Sequence, residues 1–375
     1  MDDVEHGRIE LNELESVQPL DTTTRAAVLH DIRDVRIEDR PLTPPGAGEL
    51  LVAVTAVGVC GSDVHYYEHG RIGSFVVTSP LVLGHEAAGV VVATGPGVTR
   101  HRIGERVAIE PGRSCGQCRM CTEGTYNLCP SIRFLATPPV DGAFTSHLCV
   151  DERLAFELPD NVDDEAGALL EPLSVGIWAC QRAGVRLGCT TLITGGGPIG
   201  LCALMASVAA GALTTIVVEP VPARRTRAAQ LGASMVYAPD DERLADLAGR
   251  VDCHIECSGA SGALAMGLRL LRPRGRAVAV GMSPDGAVLL PMGDLQGREI
   301  TVTGTFRYAH TYPLAVQLAA SGRVPLNLLV DAHYSLEETE AALLASSRDP
   351  AVIKAMILPQ GSPTVGLPAP PLAQG

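Results

Sequence analysis

Residues 191–219 read TLITGGGPIGLCALMASVAAGALTTIVVE. The β-branched opening Thr191–Thr194 favours a strand, the Ala, Leu and Met that follow Gly200 favour a helix, and Leu213–Val218 turns β-branched again. The pattern predicts strand, glycine turn, helix, strand. Gly195, Gly197 and Gly200 fit G-x-G-x-x-G, where the first two glycines permit a tight turn and close approach of a pyrophosphate, and the third lets helix pack on strand. Pro198 and Ile199 fall at the helix start, whose free N–H groups face the phosphates. Glu219 closes the second strand about 20 residues beyond the glycines, where a carboxylate accepts hydrogen bonds from both ribose hydroxyls. Strand, turn, helix and acid together predict a dinucleotide-binding unit.

A membrane span is the alternative, because Ile199–Val218 is 20 residues without a charge. Gly211-Ala212 interrupts that run, and the composition changes there from helix formers to Thr, Ile and Val, so a buried helix and a buried parallel strand account for it better. At 375 residues the chain has room for two domains, and 40 Gly and 27 Pro indicate a loop-rich α/β protein. The net charge of −13 argues against a nucleic-acid or anionic-membrane partner. The N-terminus shows no basic region followed by an apolar core, so the expected location is cytoplasmic, where 11 Cys read as metal ligands or buried thiols rather than disulfides.

Residues 1–24 are acidic and weakly periodic, which reads as a mobile extension with a short amphipathic helix as the alternative. Arg25–His30, Asp34–Asp39, Leu50–Val59, Leu81–Thr94, Glu105–Glu110 and Ala143–Val150 read as strands of a β-rich unit. Two clusters in it carry chemistry. Cys60 with His85 and Glu86 offers a thiolate, an imidazole and a carboxylate, the three-ligand arrangement of a catalytic zinc with one open position, although a Cys and a His about 25 residues apart are often unrelated. Cys115, Cys118 and Cys121, with Cys129 eight positions later, supply four thiolates in one loop and predict a closed structural zinc site. A redox C-x-x-C accounts for one pair and leaves the other cysteines unexplained. Cys149, Cys180, Cys189, Cys202, Cys253 and Cys257 sit among apolar residues and read as core thiols. Ala277–Met282 reads as a buried strand whose carboxyl end offers Val280, Gly281 and Met282 to a cofactor, and Cys253–Gly259 as another strand end. Helices are expected at Leu314–Ser321 and Leu336–Ser346, then a strand at Ile353–Leu358 and a disordered tail over 359–375.

With GVCGSDVHYYEHGRIG, LVLGHEAAG, RVAIEPG, YNLCPSIRF followed by ATPP, GALLEPLSVG, GGGPIG, ECSGA and GTFRY in place, the chain from about Arg25 to Leu358 resembles the zinc-dependent medium-chain dehydrogenases, within them the sorbitol and xylitol (polyol) dehydrogenase group. The resemblance implies a GroES-like catalytic domain from 1–173 and 307–375, with a structural zinc lobe at 110–130. A Rossmann domain with a doubly wound parallel sheet would be inserted at 174–306. It implies two Zn²⁺ per chain, one on Cys60, His85 and Glu86 and one on the four cysteines, and NAD as cofactor. Glu171 stands where alcohol dehydrogenases carry a further Cys ligand and is carried as an alternate ligand or a neighbour of the metal's water. Ser62, His65 and Glu171 are the implied proton relay; an ordinary surface histidine is the alternative for His65. Tyr66, Phe134, Arg307 and Tyr308 match positions lining the polyol pocket, although in a bare sequence Arg307-Tyr308 is an ordinary exposed pair. Thr305, Phe306 and Arg307 are expected to bind the cofactor, and Arg224 to lie near its adenine.

The implied reaction is oxidation of a secondary alcohol of a polyol to a ketose, a metal acidifying the hydroxyl and the cofactor accepting hydride. Threonine, butanediol or another secondary alcohol is the alternative substrate within the superfamily, and a noncatalytic zinc- and NAD-binding scaffold is the alternative outside it. A homotetramer is the expected assembly, again by resemblance.

Overall fold

The computed structural model describes residues 22–283 and 286–361, so the readings of 1–24 and of 359–375 fall mostly outside the described residues. Where they overlap, both need correction. Thr23 and Thr24 already belong to the strand Thr23–Asp31, because Thr24 Oγ1 bonds Thr145 Oγ1 at 2.8 Å and accepts from the His147 N–H at 3.0 Å. The Gln360 side-chain amide donates to the Ser146 carbonyl at 2.6 Å.

The strand–turn–helix–strand of the glycine segment forms as Thr190–Thr194, Pro198–Ala209 and Thr214–Val218. The strands are flanked by helices on the way out and back, so their pairing is parallel: Thr191 lies opposite Thr215 and Thr194 opposite Val218. Four more parallel strands complete the sheet: Met235–Tyr237 outside Thr214–Val218, and Val251–Glu256, Leu271–Ala279 and Thr301–Gly304 on the other side of Thr190–Thr194. In chain order this is 3-2-1-4-5-6, and the order reverses between Thr190–Thr194 and Val251–Glu256, beside the glycine turn, where open α/β sheets bind ligands.

The second layer is a seven-stranded sheet in which Ala155–Glu157, Arg106–Ile109, Glu86–Thr94, Glu49–Gly58, Lys354–Leu358 and Val330–Ser335 follow one another, with His147–Asp151 also on Glu49–Gly58. The predicted strand Leu81–Thr94 is broken. Gly84 takes φ +85, Asp63 caps its N–H, and only Leu81–Val82 and Glu86–Thr94 remain as strands, which places His85 at the bend. Of Ala143–Val150, only His147 onward is strand; Ala143 and Phe144 instead donate to the Gly84 and Leu83 carbonyls. Helix Leu170–Ala183 runs from this layer to the parallel sheet and packs on Pro198–Ala209, both carrying fully buried Leu and Ala faces. No helix among the described residues is long and apolar enough to cross a membrane.

The smaller expectations shift by a few residues. The helix expected at Leu314–Ser321 runs Tyr312–Ala320, and that expected at Leu336–Ser346 is divided into Thr339–Leu343 and Ala345–Arg348 after a short turn. Four of the six scattered cysteines are buried, whereas Cys149 and Cys257 are half-buried. The strand expected to reach Met282 ends at Ala279, and Met282 is 57% exposed.

Candidate active site

Cys60 lies at the N-terminus of helix Gly61–His69, where the chain leaves the central strand Glu49–Gly58. Asp63, fully buried, holds this corner: one oxygen accepts from the Cys60 N–H at 3.0 Å, and the other accepts from the Gly84 N–H at 2.9 Å and stands 3.6 Å from His85 Nδ1. One carboxylate thus ties together two loops that are distant in sequence. As a result the ligand atoms of Cys60, His85 and Glu86 lie within 4.8 Å of one another, two of the three residues being buried. A thiol, an imidazole and a carboxylate converging at this distance fit a tetrahedral dication with one position left open. Asp63 was not singled out from the sequence, although its place three residues after Cys60 is the capping-box spacing that could have found it.

Glu86 has a second partner that sequence reasoning missed. Lys354 Nζ donates to Glu86 Oε1 at 2.8 Å and Oε2 at 2.7 Å and to the Val59 carbonyl at 2.9 Å, with both side chains about 1% exposed. Burial acts to lower the Lys354 pKa, but the Glu86 and Cys60 charges outweigh it and the ammonium is held above its ordinary value. Removing one partner of such a buried pair costs about 3–5 kcal/mol, because the other charge is stranded. Gly58 makes room for the carboxylate, since a Cβ there would stand 2.1 Å from Glu86 Oε2.

The predicted pocket residues come together around this corner. Glu171, in the first turn of helix Leu170–Ala183, is 4% exposed and accepts from the Tyr308 hydroxyl at 2.9 Å. Burial pushes its pKa up to about 7, with His85 acting to lower it and Glu86 to raise it. Tyr308 is buried rather than an exposed residue, and the Phe134 ring lies 5.6 Å from the His85 ring, tilted by 55°. The Arg307 guanidinium lies 3.8 Å over Phe134 and 4.8 Å from Phe306, in a left-handed backbone conformation of φ +52. One of its amino groups is buried with no hydrogen-bond partner among the described residues, and the other reaches Thr137 Oγ1 at 3.5 Å. Tyr66 is buried beside Thr137 and Arg307, and burial raises its pKa. Thr137 was visible only as part of the ATPP match. Ser62 is half-buried next to Cys60, whereas His65 is exposed, with His69 5.5 Å away as its ring neighbour.

Cys115, Cys118, Cys121 and Cys129 converge within 4.8 Å, with sulfur pairs at 3.5 and 3.9 Å. Backbone N–H groups of Gln117 and Cys118 hold the Cys115 thiol down to about 6, so it is ready to bind as thiolate. Four sulfurs at this spacing fit a closed tetrahedral site. The lobe is also tied to the pocket. The Asn127 amide donates to the Phe306 carbonyl at 2.8 Å, the His310 N–H donates to the Tyr126 hydroxyl at 2.9 Å, and the His310 ring bonds the Gly124 carbonyl at 2.8 Å.

At the glycine turn, Gly195 has φ +95, and a Cβ on Gly200 would stand 1.8 Å from the Gly195 carbonyl oxygen, so both positions require glycine. A Cβ on Gly197 would meet nothing closer than Arg224 Nη1 at 3.9 Å, and no side chain caps helix Pro198–Ala209. This is an open backbone cradle of the kind a pyrophosphate fits. Glu219 is 3% exposed and accepts from the Gly196 N–H at 2.6 Å and the Val221 N–H at 2.9 Å. Arg224 donates to the Pro350 and Val352 carbonyls at 2.7 and 3.3 Å, while Arg225 donates to the Glu219 and Pro220 carbonyls at 2.7 and 2.8 Å. Val280 and Gly281 donate to the Glu256 carbonyl at the end of the neighbouring strand, and the Thr305 N–H donates to Ala279. These residues line one edge of the parallel sheet. Phe306, 47% exposed, lies beyond it.

Residues 46–160 match the alcohol dehydrogenase GroES-like domain family, and residues 198–321 match the zinc-binding dehydrogenase family. The sorbitol dehydrogenase of Bacillus subtilis (strain 168) is 42% identical over 325 residues, covering 85% of this chain and 92% of that protein. The chain belongs to the zinc-dependent medium-chain polyol dehydrogenases. Among solved structures, L-idonate 5-dehydrogenase from Escherichia coli K-12 superposes with TM-score 0.85 at 31% identity over 90% of this chain and 98% of its own. A zinc-binding dehydrogenase from Sinorhizobium meliloti 1021 bound to NADP gives 0.83 at 30%, covering 90% and 100%. Both cysteine-containing clusters of this polyol dehydrogenase fall inside the GroES-like match, while Glu171 and Lys354 lie outside both matched segments.

Proposed function

We propose that this chain oxidises a secondary alcohol of a polyol of the sorbitol, xylitol or L-iditol type to a ketose, with hydride passing to NAD. The observation that carries this reading is the hydrogen bond from Tyr308 to Glu171, which sets a hydroxyl and a carboxyl side by side next to the Cys60–His85–Glu86 donors. A pocket built from paired polar groups takes a substrate rich in hydroxyls, since an analogue lacking them would leave buried donors unpaired. Cys60 and His85, with Glu86 or Glu171, would hold one zinc, and Cys115, Cys118, Cys121 and Cys129 the other. Bound there, the first zinc supplies Lewis acidity toward the substrate hydroxyl, and NAD supplies the hydride acceptor.

The chain's own groups do the rest. Tyr66, Arg307 and Tyr308 orient the polyol, and Phe134 closes one wall. Glu171 accepts the hydroxyl proton, and Ser62 and His65 pass it outward; the exposure of His65 suits the outer end of a relay, which must meet water. Residues 174–306 serve as the cofactor domain and 1–173 with 307–375 as the catalytic domain, in a cytoplasmic homotetramer.

Sorbitol, xylitol and L-iditol, assayed by NADH absorbance beside 2,3-butanediol and threonine, should be preferred by about tenfold or more in kcat/KM. Equal use of butanediol would overturn the polyol reading. Glu171→Gln should lower kcat by about 10²–10⁴-fold and remove an acid-side limb from the pH profile. The sign is set by burial, which pushes this carboxyl up to about 7, so activity rises with pH as it loses its proton and becomes an acceptor. A bound dication pulls the other way and places the limb at or below that value. A Glu171→Gln profile that keeps the limb would exclude Glu171 as acceptor.

A further inference from the structure

Three backbone turns meet at the carboxyl edge of the parallel sheet, and Glu256 stands where they join. It ends the strand Val251–Glu256 and is 3% exposed. Its Oε1 accepts from the Ser258 N–H at 2.6 Å, the Ser258 hydroxyl at 2.5 Å and the Gly259 N–H at 2.9 Å, so one carboxylate oxygen folds the turn that follows its own strand. Its backbone carbonyl accepts from the Val280 and Gly281 N–H groups at 2.8 and 2.9 Å, at the end of the next strand. On the other side the Cys257 N–H donates to the Thr194 carbonyl at 2.8 Å, just before the glycine turn. The turns touch backbone to backbone. A Cβ on Gly195 would stand 2.9 Å from the Ser258 nitrogen, one on Gly259 2.2 Å from the Met282 carbonyl oxygen, and one on Gly281 2.2 Å from the Gly259 nitrogen and 2.9 Å from Glu256 Oε2.

We propose that Glu256 is a positioning residue for the nicotinamide half of the cofactor: its carboxylate fixes the Ser258–Gly259 turn between the Gly195 and Gly281 turns and so sets the edge on which the ring lies. This rests on the reading that NAD binds across the glycine turn. With the adenine ribose at Glu219, on the strand to one side of Thr190–Thr194, the second nucleoside crosses the switch point and lies over Val251–Glu256 and Leu271–Ala279 on the other side. Ser258 and Ala260 are exposed, so burial does little to hold this turn, and three hydrogen bonds to a charged acceptor set its shape. A reacting group misplaced by about 1 Å can cost about 10²-fold in rate, which makes a turn beside the ring worth fixing.

The test titrates the full-length protein calorimetrically with NAD and with ADP, which carries adenosine and the pyrophosphate and lacks the second nucleoside. In Glu256→Ala the turn loses its acceptor: NAD binding weakens by about tenfold or more, ADP binding stays within about threefold of the unmodified protein, and kcat falls by up to about 10²-fold. Glu256→Gln keeps an oxygen for the same three donors and stays within about threefold on both ligands. Glu256→Asp keeps the charge and draws the acceptor back by one methylene; it repeats the pattern of the alanine variant and reports even if that variant does not fold. Equal weakening of NAD and ADP overturns the inference, because the whole cofactor domain is then disturbed. Unchanged NAD binding in Glu256→Ala or Glu256→Asp overturns it too, as does a Glu256→Gln variant as weak as Glu256→Asp. The unmodified protein separates this from the functional reading: if it binds both ligands, any of those outcomes removes the role of Glu256 alone, and if it binds neither, the cofactor reading falls as well.

Discussion

His85→Ala is expected to leave a folded protein with one zinc instead of two and almost no turnover. The buried residue sits at a bend between two strands, held by Asp63 and outside both of them, so its loss removes a metal donor without opening a sheet. Lewis-acid stabilisation is worth several kcal/mol and each 1.36 kcal/mol is tenfold, so kcat should fall by about 10³-fold or more while melting shifts by only a few degrees. Cys121→Ser should behave differently. Apparent binding energies of structural zinc sites are about 10–16 kcal/mol, part of which is folding free energy, so the lobe loosens and the melting temperature or the assembly drops. Asn127 and His310 connect that lobe to Phe306 and the segment carrying Arg307 and Tyr308, so KM for the polyol should rise as well. Metal analysis, calorimetry and steady-state kinetics on the two variants check this. Abolished chemistry in Cys121→Ser with unchanged melting and assembly would reverse the roles given to the two clusters.

The second large effect is cofactor choice. NAD should be preferred over NADP by at least about tenfold in kcat/KM, which corresponds to 1.4 kcal/mol. A 2′-phosphate placed against the Glu219 carboxylate costs about 1 kcal/mol per charge pair at 4 Å in water and about 4 at an effective dielectric of 20. Arg224 and Arg225, the cations that could offset it, already donate to the carbonyls of Pro350, Val352, Glu219 and Pro220. Glu219→Ala should shrink the preference mainly through weaker NAD binding, since it also leaves the Gly196 and Val221 N–H groups without their acceptor. Equal or better use of NADP by the unmodified protein would overturn this.

The parallel sheet was legible because its signals are local: β-branched runs, glycines at fixed spacing and an acid at a strand end each act within a few residues. The ligand clusters were legible as residue types, and the structure brings the same residues together. What escaped is long-range. Lys354 meets Glu86 across 268 positions, and no periodicity marks a lone lysine in a short apolar strand as a counter-ion. Asn127 reaches the Phe306 carbonyl across 179 positions in the same way. The break at Gly84 was hidden because the apolar residues on either side of it resemble one continuous strand, while the turn is enforced by Asp63 from another element.

The placement of Lys354–Leu358 between Glu49–Gly58 and Val330–Ser335 has a consequence for biosynthesis. The parallel sheet has all six strands once residue 304 has left the ribosome, whereas the seven-stranded sheet must wait for its inner strand. At about 5–20 residues per second, Glu86 spends roughly a quarter to one minute without its ammonium, and its neighbouring strand keeps an uncovered edge. The nucleotide-binding half therefore has the means to fold first on the nascent chain. The metal corner is finished last, as the final strand slides in and closes a loop spanning most of the polypeptide.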